Sequence, residues 1–332
     1  MMGTFRIIRR IILNVPILLL LLAVGASADI ARRAGTTSAQ FLRLEQGARH
    51  AALGGTYTGY GDDAFTLWGQ PAALGEIEAV TLSAQHTSLF MGINQEYVGV
   101  AFPLGSHRWG LTANLLNVDD ILRTTENATG NLASSGGFFG ARDLGVALHY
   151  GRRWTDRVTI GAAVRYIDSE IDNVSAQGVG VDAGIRWRTP IEGLTVGAAV
   201  TNAGQGLKFI RQRDDLPTTF RAGGAYVWNR WMLSGDLVKG IDTDFEGGVG
   251  LEFRPIDLLA LRAGYRSQGR DVDEGLTAGL GVRWKGLELD YAYVPFGDLG
   301  DAHRVSGTVR WGGGGGEATV LPLAPKRRGE RK

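Results

Sequence analysis

The chain is predicted to be all-β: a transmembrane antiparallel β-barrel of about fourteen strands with a small N-terminal helical plug segment. Three observations carry this. Residues 79–311 read as about fourteen short segments of alternating polarity. The turns between them switch strictly between tight and long. Tryptophans collect beside the tight turns. A barrel whose termini share one side needs an even strand count, with short turns on that side and longer loops on the other.

The tight connections are Gly105-Ser106-His107, Arg153-Trp154-Thr155-Asp156, Pro190-Ile191-Glu192-Gly193, Trp228-Asn229-Arg230-Trp231, Pro255-Ile256-Asp257 and Lys285-Gly286. Longer polar connections are expected at 119–142, 169–177, 202–218, 239–244, 267–274 and 295–303. Within a strand, successive side chains point to opposite faces. Val179, Val181, Ala183, Ile185 and Trp187 therefore share one face, and Gly180, Asp182, Gly184, Arg186 and Arg188 the other. The same division separates Leu276, Ala278, Leu280, Val282 and Trp284 from Thr277, Gly279, Gly281, Arg283 and Lys285. It recurs with Val158, Ile160, Ala162, Val164 and Tyr166 against Thr159, Gly161, Ala163 and Arg165. Alternation alone would also suit a soluble sheet with one wet face.

Aromatic placement argues for the bilayer. Trp109, Trp154, Trp187, Trp228, Trp231, Trp284 and Trp311 all fall at strand ends beside short turns or at the last strand end, and only Trp68 lies elsewhere. Indole rings favour the headgroup level, so these residues are read as a lipid-interface girdle. Tyr97, Tyr166, Phe220, Phe245, Tyr265, Tyr293 and Phe296 are expected to form the second girdle at the opposite ends.

Composition fits one large all-β unit. Fifty glycines among 332 residues are interleaved with Val, Leu and Tyr, which argues against both collagen and a disordered tract. A net charge of +1 gives no reason to expect nucleic acid. With no cysteine there is no disulfide, thiolate metal site, thiol catalysis or lipoprotein anchor.

Residues 1–28 read as a cleaved signal peptide: Arg6, Arg9 and Arg10, an apolar run over 11–24, then Ala26-Ser27-Ala28 as the small-residue cleavage site before Asp29. A retained anchor is the rival reading, for which the run is short. Export without another long apolar segment implies a bacterial outer membrane, with outer-membrane lipids, lipopolysaccharide and the barrel-assembly machinery as partners. Residues 29–78 do not alternate and form the plug segment; residues 79–311 form the barrel. Within the plug, Phe41, Leu44, Ala48, Ala51 and Ala52 are spaced for a helix over 40–53, stopped by Gly54-Gly55. Residues 312–332, with Gly312 to Gly316 followed by Lys326, Arg327, Arg328, Arg331 and Lys332, read as a flexible basic periplasmic tail.

The inward charges are Arg165, Asp182, Arg186, Arg221, Asp236, Glu246, Glu252, Arg262, Arg266, Arg283, Glu288, Asp290 and Arg310. Near-equal signs favour pairing across neighbouring strands over a one-sign selectivity ring. The alternative roles are a polar conduit or ion pairs that hold the plug. Small inward residues such as Gly161, Ala163, Gly279 and Gly281 leave space for a plug or ligand. Asp62-Asp63 is read as a turn or helix cap, with a cation or a lumenal arginine as the alternative. His50, His86, His107, His149 and His303 lack metal-ligand spacing. The glycines of residues 178–184 precede no helix, so they do not form a dinucleotide loop. No catalytic constellation stands out, so neither enzyme activity nor a cofactor is predicted. The clusters Arg211-Gln212-Arg213-Asp214-Asp215 and Arg270-Asp271-Val272-Asp273-Glu274 are expected to be solvated loop tips.

Two motifs carry a family resemblance. Residues 47–57, Gly47-Ala48-Arg49-His50-Ala51-Ala52-Leu53-Gly54-Gly55-Thr56-Tyr57, are followed by Asp62-Asp63-Ala64-Phe65-Thr66-Leu67-Trp68-Gly69-Gln70-Pro71-Ala72-Ala73-Leu74. The ending Leu289-Asp290-Tyr291-Ala292-Tyr293-Val294-Pro295-Phe296-Gly297-Asp298-Leu299-Gly300, with His303-Arg304-Val305-Ser306, is the second. Together they resemble the PorV/PorQ family, within the wider group of FadL-like outer-membrane proteins, over residues 41–311. The resemblance implies a plugged fourteen-stranded barrel whose plug motif includes Gly54, Gly55, Asp62, Asp63, Trp68 and Pro71. It implies an accessory or shuttle role in type IX-like protein secretion, with secreted proteins or machinery subunits as partners. Its alternatives are FadL-like passage of a hydrophobic ligand and a sealed barrel whose loops dock partners. Gln70 stands where the family usually carries Asn before Pro-Ala, which changes the chemistry of that turn.

Overall fold

A computed structural model describes residues 35–126, 132–267 and 275–312. The signal peptide, the Arg270 to Glu274 cluster and the tail from Gly313 onward lie outside the described residues.

The wall consists of β1 Val80–Ser88, β2 Asn94–Leu104, β3 His107–Glu126, β4 Leu132–Arg153, β5 Val158–Ile171, β6 Val174–Arg188 and β7 Leu194–Gln205. It continues through β8 Thr219–Trp228, β9 Trp231–Gly240, β10 Phe245–Ile256, β11 Leu259–Ser267, β12 Gly275–Trp284, β13 Leu287–Pro295 and β14 Asp301–Trp311. Each strand pairs antiparallel with its sequence neighbours, and β1 closes on β14 from Val80↔Trp311 to Ser88↔His303. Closure leaves no unpaired sheet edge, which the hydrocarbon core of a bilayer would not tolerate.

Strand alternation sorts side chains as the sequence predicts. On β6, Val179, Val181, Ile185 and Trp187 face outward and are exposed, whereas Asp182 and Arg186 are buried inside. On β12, Leu276, Leu280, Val282 and Trp284 face outward while Thr277 is buried. An apolar exterior and polar interior invert a soluble protein, because here lipid is the outer solvent.

Several expectations are corrected. Most of 119–142 is not a loop: β3 and β4 continue past a register shift, with Val118↔Ala141 and then Ile121↔Phe139. Asp120 at φ +59° forms the irregularity, and apolar residues among the polar ones let the ladder resume. The 169–177 connection shrinks to Asp172-Asn173, since Ile171↔Val174 still pair and Asp172 accepts φ +56°. Tyr97 does not join a girdle. It is buried in the lumen, donates to the Ala64 carbonyl at 2.6 Å and packs edge-on against Trp68.

The predicted helix over 40–53 is broken into a 3₁₀ turn, Gln40–Arg43, and one α-helical turn, Ala48–Ala52. Glu45 and Gln46 between them are buried, and Gly47 takes φ +89°. Their polar side chains find partners in the wall that a continuous helix would turn away from.

Candidate functional site

The lumen is filled by the N-terminal segment, which crosses it from end to end. It begins among the long loops, where Thr37 Oγ1 donates to Asp242 at 2.5 Å, Arg43 pairs with the same carboxylate, and Ser38 N donates to the Asp215 carbonyl at 2.9 Å. It ends at the short turns, where Pro71–Glu76 packs on β4 and β5 and Glu76 meets Arg188 at 3.1 Å. The Arg211 to Asp215 cluster is thus more than a solvated tip, because the backbone beneath it grips the plug.

Small wall residues let the plug's backbone touch the strands. A side-chain carbon at Gly264 would lie 2.2 Å from Gly54 N, and one at Gly161 would lie 2.2 Å from the Pro71 carbonyl. Gly54 itself sits at φ +70°, with Tyr265 O 2.5 Å from where a side-chain carbon would stand. Gly55 follows at φ +74°. The space that sequence assigns to a plug or ligand is occupied by plug at Gly161 and Gly279, and by the Arg262 and Asp290 side chains at Gly281.

The lumen wall has two chemically different halves. From β5 round to β14 it is charged and gripped by ion pairs. Glu252 accepts from Arg49 of the plug through both oxygens, at 2.9 and 3.1 Å, and from Arg262 at 2.7 Å; Arg262 also reaches Asp290 at 2.5 Å. Arg310 joins Glu288 at 3.2 Å to Asp62 of the plug at 3.1 Å, and Arg283 meets Glu288 at 2.7 Å. Arg266 and Arg304 converge on plug residue Glu45 at 2.7 and 3.3 Å. Burial would raise the Glu45 pKa, but those two guanidinium groups hold it down at about 2.

Arg186 donates to plug carbonyls of Thr58 (2.8 Å), Gly61 (2.9 Å) and Tyr57 (2.9 Å). Arg165 pairs with Asp182 at 2.6 Å, donates to the Trp68 carbonyl at 3.0 Å and lies 3.7 Å over the Trp68 ring. Arg221 and plug amides Tyr57 and Thr58 share Asp236 at 2.8 to 3.1 Å. No lysine is buried among the described residues. The guanidinium fork can satisfy a carboxylate and several carbonyls together, which an ammonium does less well.

Asp63 caps the following turn, accepting from Thr66 N and Oγ1 at 2.9 Å. Beside it, burial lowers the His50 pKa, and His50 Nδ1 donates to the Gln46 carbonyl at 2.7 Å. Gln70 Oε1 accepts from Ala72 N at 3.3 Å while its Nε2 donates to the Ala198 carbonyl at 3.3 Å. The longer amide thus caps its turn and still reaches the wall.

From β1 to β4 the membrane-level interior carries no ion pair to the plug; its acidic and basic side chains there are a half-buried Asp143, on the rung of Gln95 and Leu116, and the His149 imidazole. The buried polar residues there are Thr81, Ser83, Gln85, Thr87, Gln95, Thr112, Asn114 and His149, with Tyr97. Against them the plug presents Ala64, Leu67 and Trp68, which lie closest to Gly99, Gly110 and Gly145. Sequence reasoning lists inward charges and passes over this half. The run of Thr, Ser, Gln and Asn at alternating positions of β1–β3 is the signal that could have found it.

Toward the long-loop end the plug, wall and loops pack two buried apolar clusters. Phe41, Leu42, Phe65, Trp68, Tyr97, Ile167, Leu207 and Leu216 form one cluster, with Phe209 packed against it. Ala48, Ala51, Leu89, Ala292 and Val294 form a second, flanked by Leu44, Leu116 and Phe296, of which Leu44 and Leu116 border both. Met91 and Ile210, on loops above them, are 82% and 75% exposed. A small polar cavity of about 250 Å³, lined by Thr36, Thr37, Gln212, Arg213, Asp214, Asp215, Ile241 and Asp242, opens at the same end.

Outside, Trp154, Trp187, Trp231, Trp284 and Trp311 are exposed at the short-turn end. Trp109 is half-buried against Tyr150, and Trp228 stacks between Tyr226 and Trp231.

No family model and no curated protein matches the chain. Solved structures share its fold. The Pseudomonas putida toluene transporter TodX superposes with a TM-score of 0.62 at 14% identity, over 81% of this chain and 99% of that one. The CymD monoaromatic hydrocarbon channel gives 0.60 at 11%, over 80% and 97%. A Pseudomonas aeruginosa FadL homologue gives 0.56 at 13%, over 80% and 98%. The chain therefore has the architecture of FadL-like channel barrels, none of which is described as an enzyme.

Proposed function

We propose that the protein is an outer-membrane channel for small hydrophobic compounds, with the long loops outside the cell and the short turns and the end of β14 in the periplasm. The observation that carries this reading is the apolar column at the long-loop end: Met91 and Ile210 are exposed on the loops, and beneath them two buried apolar clusters lead onto the plug. Exposed apolar side chains on these loops would meet a water-insoluble solute at the barrel mouth, and the clusters below would receive it. The descriptions of the structural neighbours, a toluene transporter and a monoaromatic hydrocarbon channel, support the same reading. The secretion-accessory role implied by the PorV/PorQ resemblance gains no support from these neighbours.

Uptake of radiolabelled toluene into proteoliposomes tests the proposal. Reconstituted protein is expected to raise the initial rate above that of protein-free vesicles, with the rate saturating. Equal rates in the two preparations would reject it. A secretion role would instead show as exported proteins held in the periplasm of a deletion strain.

A further inference from the structure

The β1–β4 half of the lumen holds polar groups that nothing among the described residues satisfies. Gln95 and Asn114 are fully buried on neighbouring strands β2 and β3, and Gln95 Nε2 donates to Asn114 Oδ1 at 3.1 Å. That bond leaves Gln95 Oε1 as an unmet acceptor and Asn114 Nδ2 as an unmet donor, one on each amide of the bonded pair. Reversing both amides leaves the same complementary pair. Buried amide valences are rarely left open in a folded protein. Four residues further along β3, about 13 Å at strand rise, Gly110 pairs with His149. The His149 Nε2 bonds Thr112 Oγ1 at 2.9 Å, while Nδ1 is unmet.

The plug meets this stripe with apolar atoms. Trp68 lies against Gly145 and Leu67 against Gly110, and the hydrogen bonds that join plug to wall at this level are between neutral groups, such as Tyr97 Oη to the Ala64 carbonyl. Charged residues of these strands reach the plug only at its short-turn end, Arg108 to the Ile77 carbonyl at 3.2 Å and the exposed Arg153 to Glu78 at 3.3 Å. On the far side, every strand from β10 to β14 except β12 contributes a charged group that is ion-paired to the plug directly or, for Glu288 of β13, through Arg310. The plug therefore separates from β2–β4 more easily than from the rest of the wall.

We propose that the solute path runs between the apolar face of the plug and β2–β4, and that Gln95 and Asn114 hydrogen-bond an uncharged hydroxyl carried by an otherwise apolar solute, with His149 the next station inward. A hydroxyl both donates and accepts, so it satisfies the amide pair in one binding event. A carboxylate would satisfy only the donor and would lose its hydration opposite an unmet carbonyl oxygen. The inference rests on the transport reading above and narrows its substrate class from hydrocarbons to neutral apolar alcohols and phenols.

The test uses proteoliposomes and the flux ratio of benzyl alcohol to toluene. In the double variant Gln95→Met/Asn114→Leu the ratio is expected to fall by at least about fivefold, as loss of one to two hydrogen bonds implies, with toluene flux kept or raised. Gln95→Met alone carries the same readout should the double variant fail to give a heat-modifiable barrel. An unchanged ratio, with toluene still passing, overturns this inference and leaves the channel reading standing; the amides would then serve ordered water only. Failure of the wild-type protein to pass either compound overturns both.

Discussion

Glu252 shows how much of the plug's attachment rests on single residues. It is buried beneath Arg49, Arg262 and Arg254. Glu252→Leu would leave three guanidinium groups facing one another, and removing one partner of a buried ion pair costs about 3–5 kcal/mol. A lower urea midpoint for unfolding from lipid vesicles is the expected result. Glu45 makes the attachment sensitive to acid. Its folded pKa, about 2, lies below its ordinary 4.5, so its contribution is complete above pH 4.5 and fades as pH falls toward 2. The shift corresponds to about 3 kcal/mol, and Glu45→Gln should flatten the loss of stability across that window. At Gly54 the φ of +70° and the neighbouring Tyr265 carbonyl leave no place for a methyl group. Gly54→Ala should destabilise by more than about 1 kcal/mol, visible as faster hydrogen exchange in the plug while the wall stays protected. The Gly54-Gly55 stop was legible as sequence, but its contact with β10 and β11 was not, because those strands lie about 200 residues away in the chain.

Among the elements, the β3–β4 ribbon is separable from the barrel. Beyond the Val118↔Ala141 pair the ladder shifts register, and past that point these strands form ladder pairs only with each other among the described residues, held to the wall by Asp172 of the β5–β6 turn, whose N donates to the Gly140 carbonyl at 3.0 Å and whose carboxylate meets the exposed Arg123 at 2.7 Å. Replacing residues 121–139 with a two-residue Asn-Gly turn should therefore leave assembly intact, checked by the heat-modifiable shift on a gel. A failed shift would mean that the ribbon contributes to closure. Strands were legible because their period of two survives any tertiary context. The plug helix was misjudged for the opposite reason: apolar spacing at 41, 44, 48, 51 and 52 suits a helix, yet every side of this segment meets barrel wall. With no solvent face there is no single stripe for a helix to bury, so Gly47 turns the chain and sends Glu45 to Arg266 and Arg304.

For the whole molecule, the two halves of the lumen make different demands on a moving plug. Thr56 Oγ1 of the plug and Ser234 Oγ of β9 lie 2.6 Å apart on the charged side. The chain has no cysteine of its own, so Thr56→Cys/Ser234→Cys places one disulfide there. Oxidation is expected to raise the unfolding midpoint and to slow toluene uptake by no more than about twofold, because the tethered side is not the side that parts. A loss beyond tenfold would mean that the plug moves as one body.

The sequence alone determined the barrel, its strand count, its inside and outside, and the end where tryptophans gather, because each of these is written in short-range alternation that a bilayer enforces. It also supplied the charges. Only the tertiary structure decided which charges meet, that buried ion pairs bind the plug along one half of the wall, and that the other half holds unmet amides and no buried ion pair to the plug. Those facts depend on strands brought together by closure and on a segment folded inside them. Pairing across that distance follows from three-dimensional proximity, for which a linear pattern has no period to read.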